Sequence, residues 1–152
     1  MDSSLISPPT EAASNQESAN ENSTTILSKR ASFFASYRHK TVVPLEKIVE
    51  VLPKLNRLVC DNSGSKMITT KTVKELIKFP NFANLSFFSL YNIPEVFDIE
   101  TFYDYLKTNK NTQILLHFAE ISEEYKNRVR NIEDEIDQTE NRDFIKPLFS
   151  IP

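Results

Sequence analysis

The chain has 152 residues, with 18 basic against 21 acidic side chains and a net charge of −3, the size of one domain with a tail. Near-neutral bulk charge speaks against both a strongly basic nucleic-acid binder and an acidic solvating protein. The one glycine, Gly64, argues against Rossmann, P-loop and hairpin-rich β folds, whose turns and phosphate loops need backbone that glycine adopts cheaply.

Residues 1–28 are half Ser, Thr, Asn and Gln, with Pro8 and Pro9 and few aliphatics. Such a segment cannot bury enough apolar surface to offset about 1–2 kcal/mol of backbone ordering per residue, so a disordered tail is expected. It has neither the charge nor the apolar run of a secretory signal, and its first base is Lys29. With one cysteine, Cys60, and no run near the roughly 18 apolar residues of a membrane helix, the expectation is an intracellular protein, cytoplasmic or nuclear.

Residues 29–40 form a basic-aromatic linker in which Lys29, Arg30, Arg38 and Lys40 alternate with Phe33, Phe34 and Tyr37. This block could touch anionic lipid or nucleic acid, where bases neutralise phosphates and rings insert or stack. Ser32, after Lys29-Arg30-Ala31, and Ser7, before Pro8, spell kinase sites; a phosphate on Ser32 would halve the local positive charge.

From Val42, Leu45, Ile48, Val49 and Leu52, then Leu55, Leu58 and Val59, recur at helical spacing, with a kink at Pro53 and an end at the turn-forming residues 61–65. Thr72-Val73-Lys74-Glu75 reads as a capping box opening a helix over Val73, Leu76, Ile77 and Phe79, stopped by Pro80. Residues 79–105 hold nine of the sixteen aromatics. They read as a helix near 82–91 and a second near 98–107 with Asp98 as N-cap. A strand at 86–91 would need a partner, and no neighbouring segment with a hairpin turn supplies one. The aromatics themselves read as core.

The segment 111–140 reads as one long amphipathic, coiled-coil-like helix. Ile114, Phe118, Ile121, Tyr125, Val129, Ile132 and Ile136 recur at steps of four and three, free of Pro and Gly; a heptad frame through Leu115, Phe118, Ser122, Tyr125, Val129, Ile132 and Ile136 fits almost as well, spoiled only by Ser122. The tail 141–152 is apolar, through Phe144, Ile145, Leu148, Phe149 and Ile151, and is expected to dock.

Catalytic chemistry finds little support. Two histidines and one cysteine cannot build a zinc site, and a nucleophile pair from Cys60 and His117 is weaker than the reading of Cys60 as a buried small hydrophobe and His117 as a helix-flank residue. Glu123, Glu124, Glu133, Asp134, Glu135, Asp137 and Glu140 read as the wet side of a helix rather than paired catalytic carboxylates. The expectation is therefore an all-α protein. A disordered tail (1–28) and linker (29–40) precede a domain of about four helices (41–110), the long helix and the apolar tail. It is not an enzyme and has no cofactor, metal or small-molecule substrate. It acts as a subunit or adaptor of a eukaryotic complex, pairing with a partner helix through Phe118, Ile121, Tyr125, Val129, Ile132 and Ile136. The alternative is a module that binds membrane or nucleic acid through 29–40.

Overall fold

The computed structural model describes residues 31–36 (as backbone), 43–63 and 66–152. In chain order they form β1 (Ala31–Ser36), α1 (Leu45–Glu50), β2 (Leu55–Asp61), α2 (Thr72–Leu76), α3 (Pro80–Ala83), β3 (Phe87–Ile93), α4 (Ile99–Leu106), β4 (Gln113–Phe118), α5 (Glu123–Gln138) and β5 (Leu148–Ser150). The strands make one five-stranded sheet in the order β1-β2-β3-β4-β5, every neighbouring pair parallel. The fold is α/β, and the all-α, coiled-coil expectation is overturned. The proposed disordered tail and the residues of the linker outside β1 lie beyond the described residues.

Each misreading has a cause. Parallel strands join through crossovers and need no two-residue turns, so a shortage of glycine excludes hairpins but leaves this sheet untouched. The strand expected to lack a partner at 86–91 is real, as β3; its partners β2 and β4 are distant in sequence and carry the spacing that predicts helix. Residues four apart share a face in a strand as they do in a helix. Ile114 and Phe118 therefore fit either period, and the expected long helix divides into β4, a loop and the 16-residue α5. Ser122, the flaw in the heptad frame, is the N-cap of α5, its Oγ accepting from Tyr125 N at 3.2 Å. Asp98 caps α4 as expected, accepting from Thr101 N at 3.1 Å. Pro80, expected as a stop, instead opens α3 at its first turn, where a missing N–H costs nothing. The Thr72 hydroxyl makes no N-terminal cap; it accepts from Thr69 N at 2.8 Å.

The strand order equals the sequence order, so each crossover steps one strand further in the same direction. The shared right-handedness of such connections then places every helix on one face. The contacts agree: Phe82 of α3 and Phe102 of α4 pack on Phe88, and Tyr125 of α5 packs on Phe118, all from the same side. One core results. It joins Leu58, Cys60, Phe88, Leu90, Ile114, Leu116 and Phe118 of the strands to Leu45, Val49, Leu76, Phe102 and Val129 of the helices. Phe149 of β5 meets Phe118 edge-on at 6.3 Å, so the C-terminal apolar segment docks on its own domain.

The sequence spends asparagine where other folds spend glycine. Asn92 takes φ 59, the left-handed region that Asn tolerates better than most residues. That extra residue shifts the register between Leu90 and Ile93 and returns Ile93 to the core. The Asn109 amide donates to Tyr105 Oη and Ala83 O and accepts from the N–H groups of Asn111 and Thr112. Asn62 accepts from Met67 N and donates to Asn92 O, while Asn81 donates to Val49 O and Leu52 O. Buried amides therefore satisfy the loop backbone that joins strand to helix.

Candidate interaction surface on the open sheet face

Period-two alternation decides what the sheet shows on the side away from the helices. Residues 58 and 60, 88 and 90, and 114 and 116 enter the core. Their neighbours therefore form the opposite face in three rows: Arg57, Phe87 and Gln113; Val59, Ser89, Leu115 and Leu148; then Asp61 and Tyr91, with His117 and Ser150 beyond. No described helix lies on this side. Leu148 is 55% exposed, and Arg57 and Gln113 are exposed as well.

Two ring contacts organise the rows. The Arg57 guanidinium lies 4.1 Å from the centroid of Phe87, a cross-strand cation–π pair at the exposed start of the strands. Towards their ends, Tyr91 and His117 stack with centroids 4.4 Å apart and planes 9° from parallel. Between them sits Ser89, 1% exposed, its Oγ without a hydrogen-bond partner among the described residues. At the far corner Asp61 accepts from Ser63 N at 2.8 Å and Asn92 Nδ2 at 2.7 Å, which ties the face to the β3 bulge.

A second feature lies at the carboxyl ends of β2 and β3, an open depression of about 440 Å³ lined mainly by Ile68, Thr69, Thr70, Pro94, Val96 and Lys66. Ligand crevices in open α/β sheets form where the strand order reverses and adjacent helices diverge to opposite faces. Among the described strands the order never reverses, so this depression does not lie at such a switch point.

The expected site residues divide sharply. Phe118, Ile121, Tyr125, Val129, Ile132 and Ile136 are all in the core, and Tyr125 Oη donates to Phe97 O at 2.6 Å. The stripe expected to bind a partner helix is covered by the molecule itself. Cys60 and His117 point from opposite faces of the sheet and from non-neighbouring strands, so they form no nucleophile pair. Burial, with Asp61 adjoining, pushes the Cys60 thiol far above its ordinary range, which disfavours the thiolate. His117, expected on a helix flank, is a half-buried strand residue. Of the acids, Glu123 pairs with Lys126 and Arg130, and Asp137 with Lys146. Among the described residues no three His, Cys, Asp or Glu are grouped to hold a metal, and no helix is long and apolar enough to cross a membrane.

Ser32, Phe33 and Phe34 lie in β1, Ser32 in register with Arg57 and Phe34 with Val59. Ser7, Lys29, Arg30, Tyr37, Arg38 and Lys40 lie outside the described residues. Helical spacing puts Arg57, Phe87, Tyr91 and Leu115 inside expected helices and so hides them as one face of a sheet; alternation about Leu58-Cys60, Phe88-Leu90 and Ile114-Leu116 is the signal that reveals it.

These features define a class: a singly wound, all-parallel α/β sheet with its helices on one face, built like a short solenoid in which each strand–helix unit packs on its neighbours. Comparison with family models, curated proteins and solved structures finds no match to this chain.

Proposed function

We propose that the chain is a non-catalytic protein-association module whose working surface is the open sheet face. The observation that carries this reading is the one-sided helix layer. All-parallel sheets are ordinarily covered on both faces, and here no described helix covers the rows, which present half-buried aromatic and aliphatic groups with one exposed cation–π pair. Tyr, Phe and Arg are the residue types that dominate binding energy at protein interfaces. The occupant that fits is a protein surface with an apolar patch and a carboxylate opposite Arg57. Arg57 and Asp61 balance on this face, so charge gives a phosphate polymer no advantage. A free thiol in the core suits the cytoplasmic or nuclear setting this reading carries.

The test compares proteins retained by the full chain, by an open-face variant (Arg57→Glu with Leu115→Asp), and by a helix-face variant (Glu124→Lys with Asp134→Lys). The open-face variant is expected to lose a partner at least about 10-fold while keeping its melting temperature, and the helix-face variant to keep both. Equal retention by all three would remove the open face from consideration.

A further inference from the structure

Independently of the open face, we infer that the depression at the carboxyl ends of β2 and β3 docks an acidic peptide segment of a partner protein. One aliphatic side chain of that segment fills the depression, and the carboxylates flanking it meet Lys66, Lys71 and Lys74. The lining, the rigid walls and the uncompensated charge beside them lead there.

Two loops build the depression, the one after β2 and the one after β3. Ile68, Pro94 and the 44%-exposed Val96 supply most of the lining of a space of about 440 Å³. That is the size and character of sites that seat an apolar group beside a few polar ones. Aliphatic walls suit a Leu, Ile or Val side chain. None of the described lining residues is aromatic, so a nucleobase finds no ring to stack on.

Both walls are preformed. Asn62 accepts from Met67 N at 3.0 Å and donates to Asn92 O at 3.3 Å, so one buried amide ties the two loops together. Thr69 N donates to Thr72 Oγ1 at 2.8 Å and Lys71 N to Thr69 Oγ1 at 3.1 Å, which fixes the turn ahead of α2. On the other side, Phe97 N donates to Pro94 O at 3.1 Å. A site held in this way loses little freedom when it is filled.

The charge beside the depression is one-sided. Residues 66–83 carry four lysines and one acid, in a chain whose net charge is −3. Lys78 pairs with that acid, Glu75, at 3.0 Å. Lys66, Lys71 and Lys74 are exposed and have no ion pair among the described residues. Lys66 lines the depression and Lys71 adjoins Thr70 on its rim. Lys74 follows on the same side of α2, since residues three apart share a side and Thr72, Val73 and Leu76 turn inward. The acids of the two loops are engaged elsewhere: Glu95 accepts from Ser122 N at 2.8 Å, Asp98 from Thr101 N at 3.1 Å and Asp61 from Asn92 Nδ2 at 2.7 Å. Three unmatched cations beside an aliphatic seat exceed what one small carboxylate would use and match a run of Asp and Glu around an apolar anchor. A flat bilayer surface would meet the lysines and leave the depression empty.

Selection of a random peptide library on the full chain tests this, with the enriched peptide then synthesised and its affinity measured by fluorescence polarisation. The enriched sequences should carry several Asp or Glu around one Leu, Ile or Val, and binding should weaken between about 50 mM and about 500 mM salt. Lys66→Glu with Lys71→Glu should lower the affinity at least about 10-fold, and so should Val96→Glu, which carries a like charge into the seat. Arg57→Glu with Leu115→Asp should leave it unchanged, so this site and the open face stand or fall separately. The same peptide with its acids replaced by amides, or its aliphatic residue by Ala, should lose as much on the unaltered chain, a result that needs no variant to fold. Enriched peptides without acids, affinity indifferent to Lys66, Lys71 and Val96, loss in the open-face variant instead, or tighter binding of an oligothymidylate or of phosphatidylserine vesicles than of the peptide would each overturn the inference.

Discussion

At the scale of single residues, the molecule is organised by small polar side chains that finish backbone hydrogen bonding. Asn109 serves four partners from one buried amide, so Asn109→Ala should cost about 2–3 kcal/mol by leaving several of them unpaired, whereas the exposed neighbour Asn111→Ala should change little. Urea midpoints of the two variants check the contrast, and equal midpoints would refute the hub role. Cys60 and Tyr125 make a second prediction. Burial raises both above their ordinary values of 9.0 and 10.0, so the folded state holds protons that the unfolded chain releases. Their contribution is complete below those values and is lost as pH rises, first past about 9 and then past about 10. The denaturation midpoint should fall on going from pH 8 to 10.5, and the fall should be smaller in Tyr125→Phe; a flat profile would show that neither group stays neutral in the fold.

At the scale of elements, α5 carries the plainest lesson. Its stripe had every formal property of a docking helix, with four buried positions, Tyr125, Val129, Ile132 and Ile136, at steps of four and three. Periodicity marks which side of a helix is apolar and says nothing about whose apolar surface meets it. Ile132→Ala should therefore lower stability by about 2–5 kcal/mol, the usual cost of emptying a core site, and should not merely weaken a partner. Thermal unfolding measures this directly, and an unchanged melting temperature would mean that the stripe is free. The split between β4 and α5 explains why the boundary was hard to see. A step of four satisfies both periods, and only Ser122, seated on Glu95 and capping α5, records the change of structure. Asp98 and α4 were legible because a cap followed by a strongly amphipathic eight-residue run admits one reading.

At the scale of the whole molecule, singly wound order gives the chain two unlike faces. The helix face takes most of the aromatic stretch 79–105, which read as core, whereas Phe87 and Tyr91 go to the opposite face of the sheet. What local composition determined was real: a near-neutral chain, a cysteine suited to burial, a basic block before an otherwise balanced body, and a shortage of glycine that excludes hairpins. Those properties depend on each residue's own chemistry or on neighbours within a turn. The parallel sheet, the open face and the burial of the α5 stripe were decided only in three dimensions. Parallel strands find their partners across crossovers of 18 to 29 residues, Ala31–Ser36 with Leu55–Asp61, that with Phe87–Ile93, that with Gln113–Phe118, and that with Leu148–Ser150, and no local signal announces pairing at such a distance.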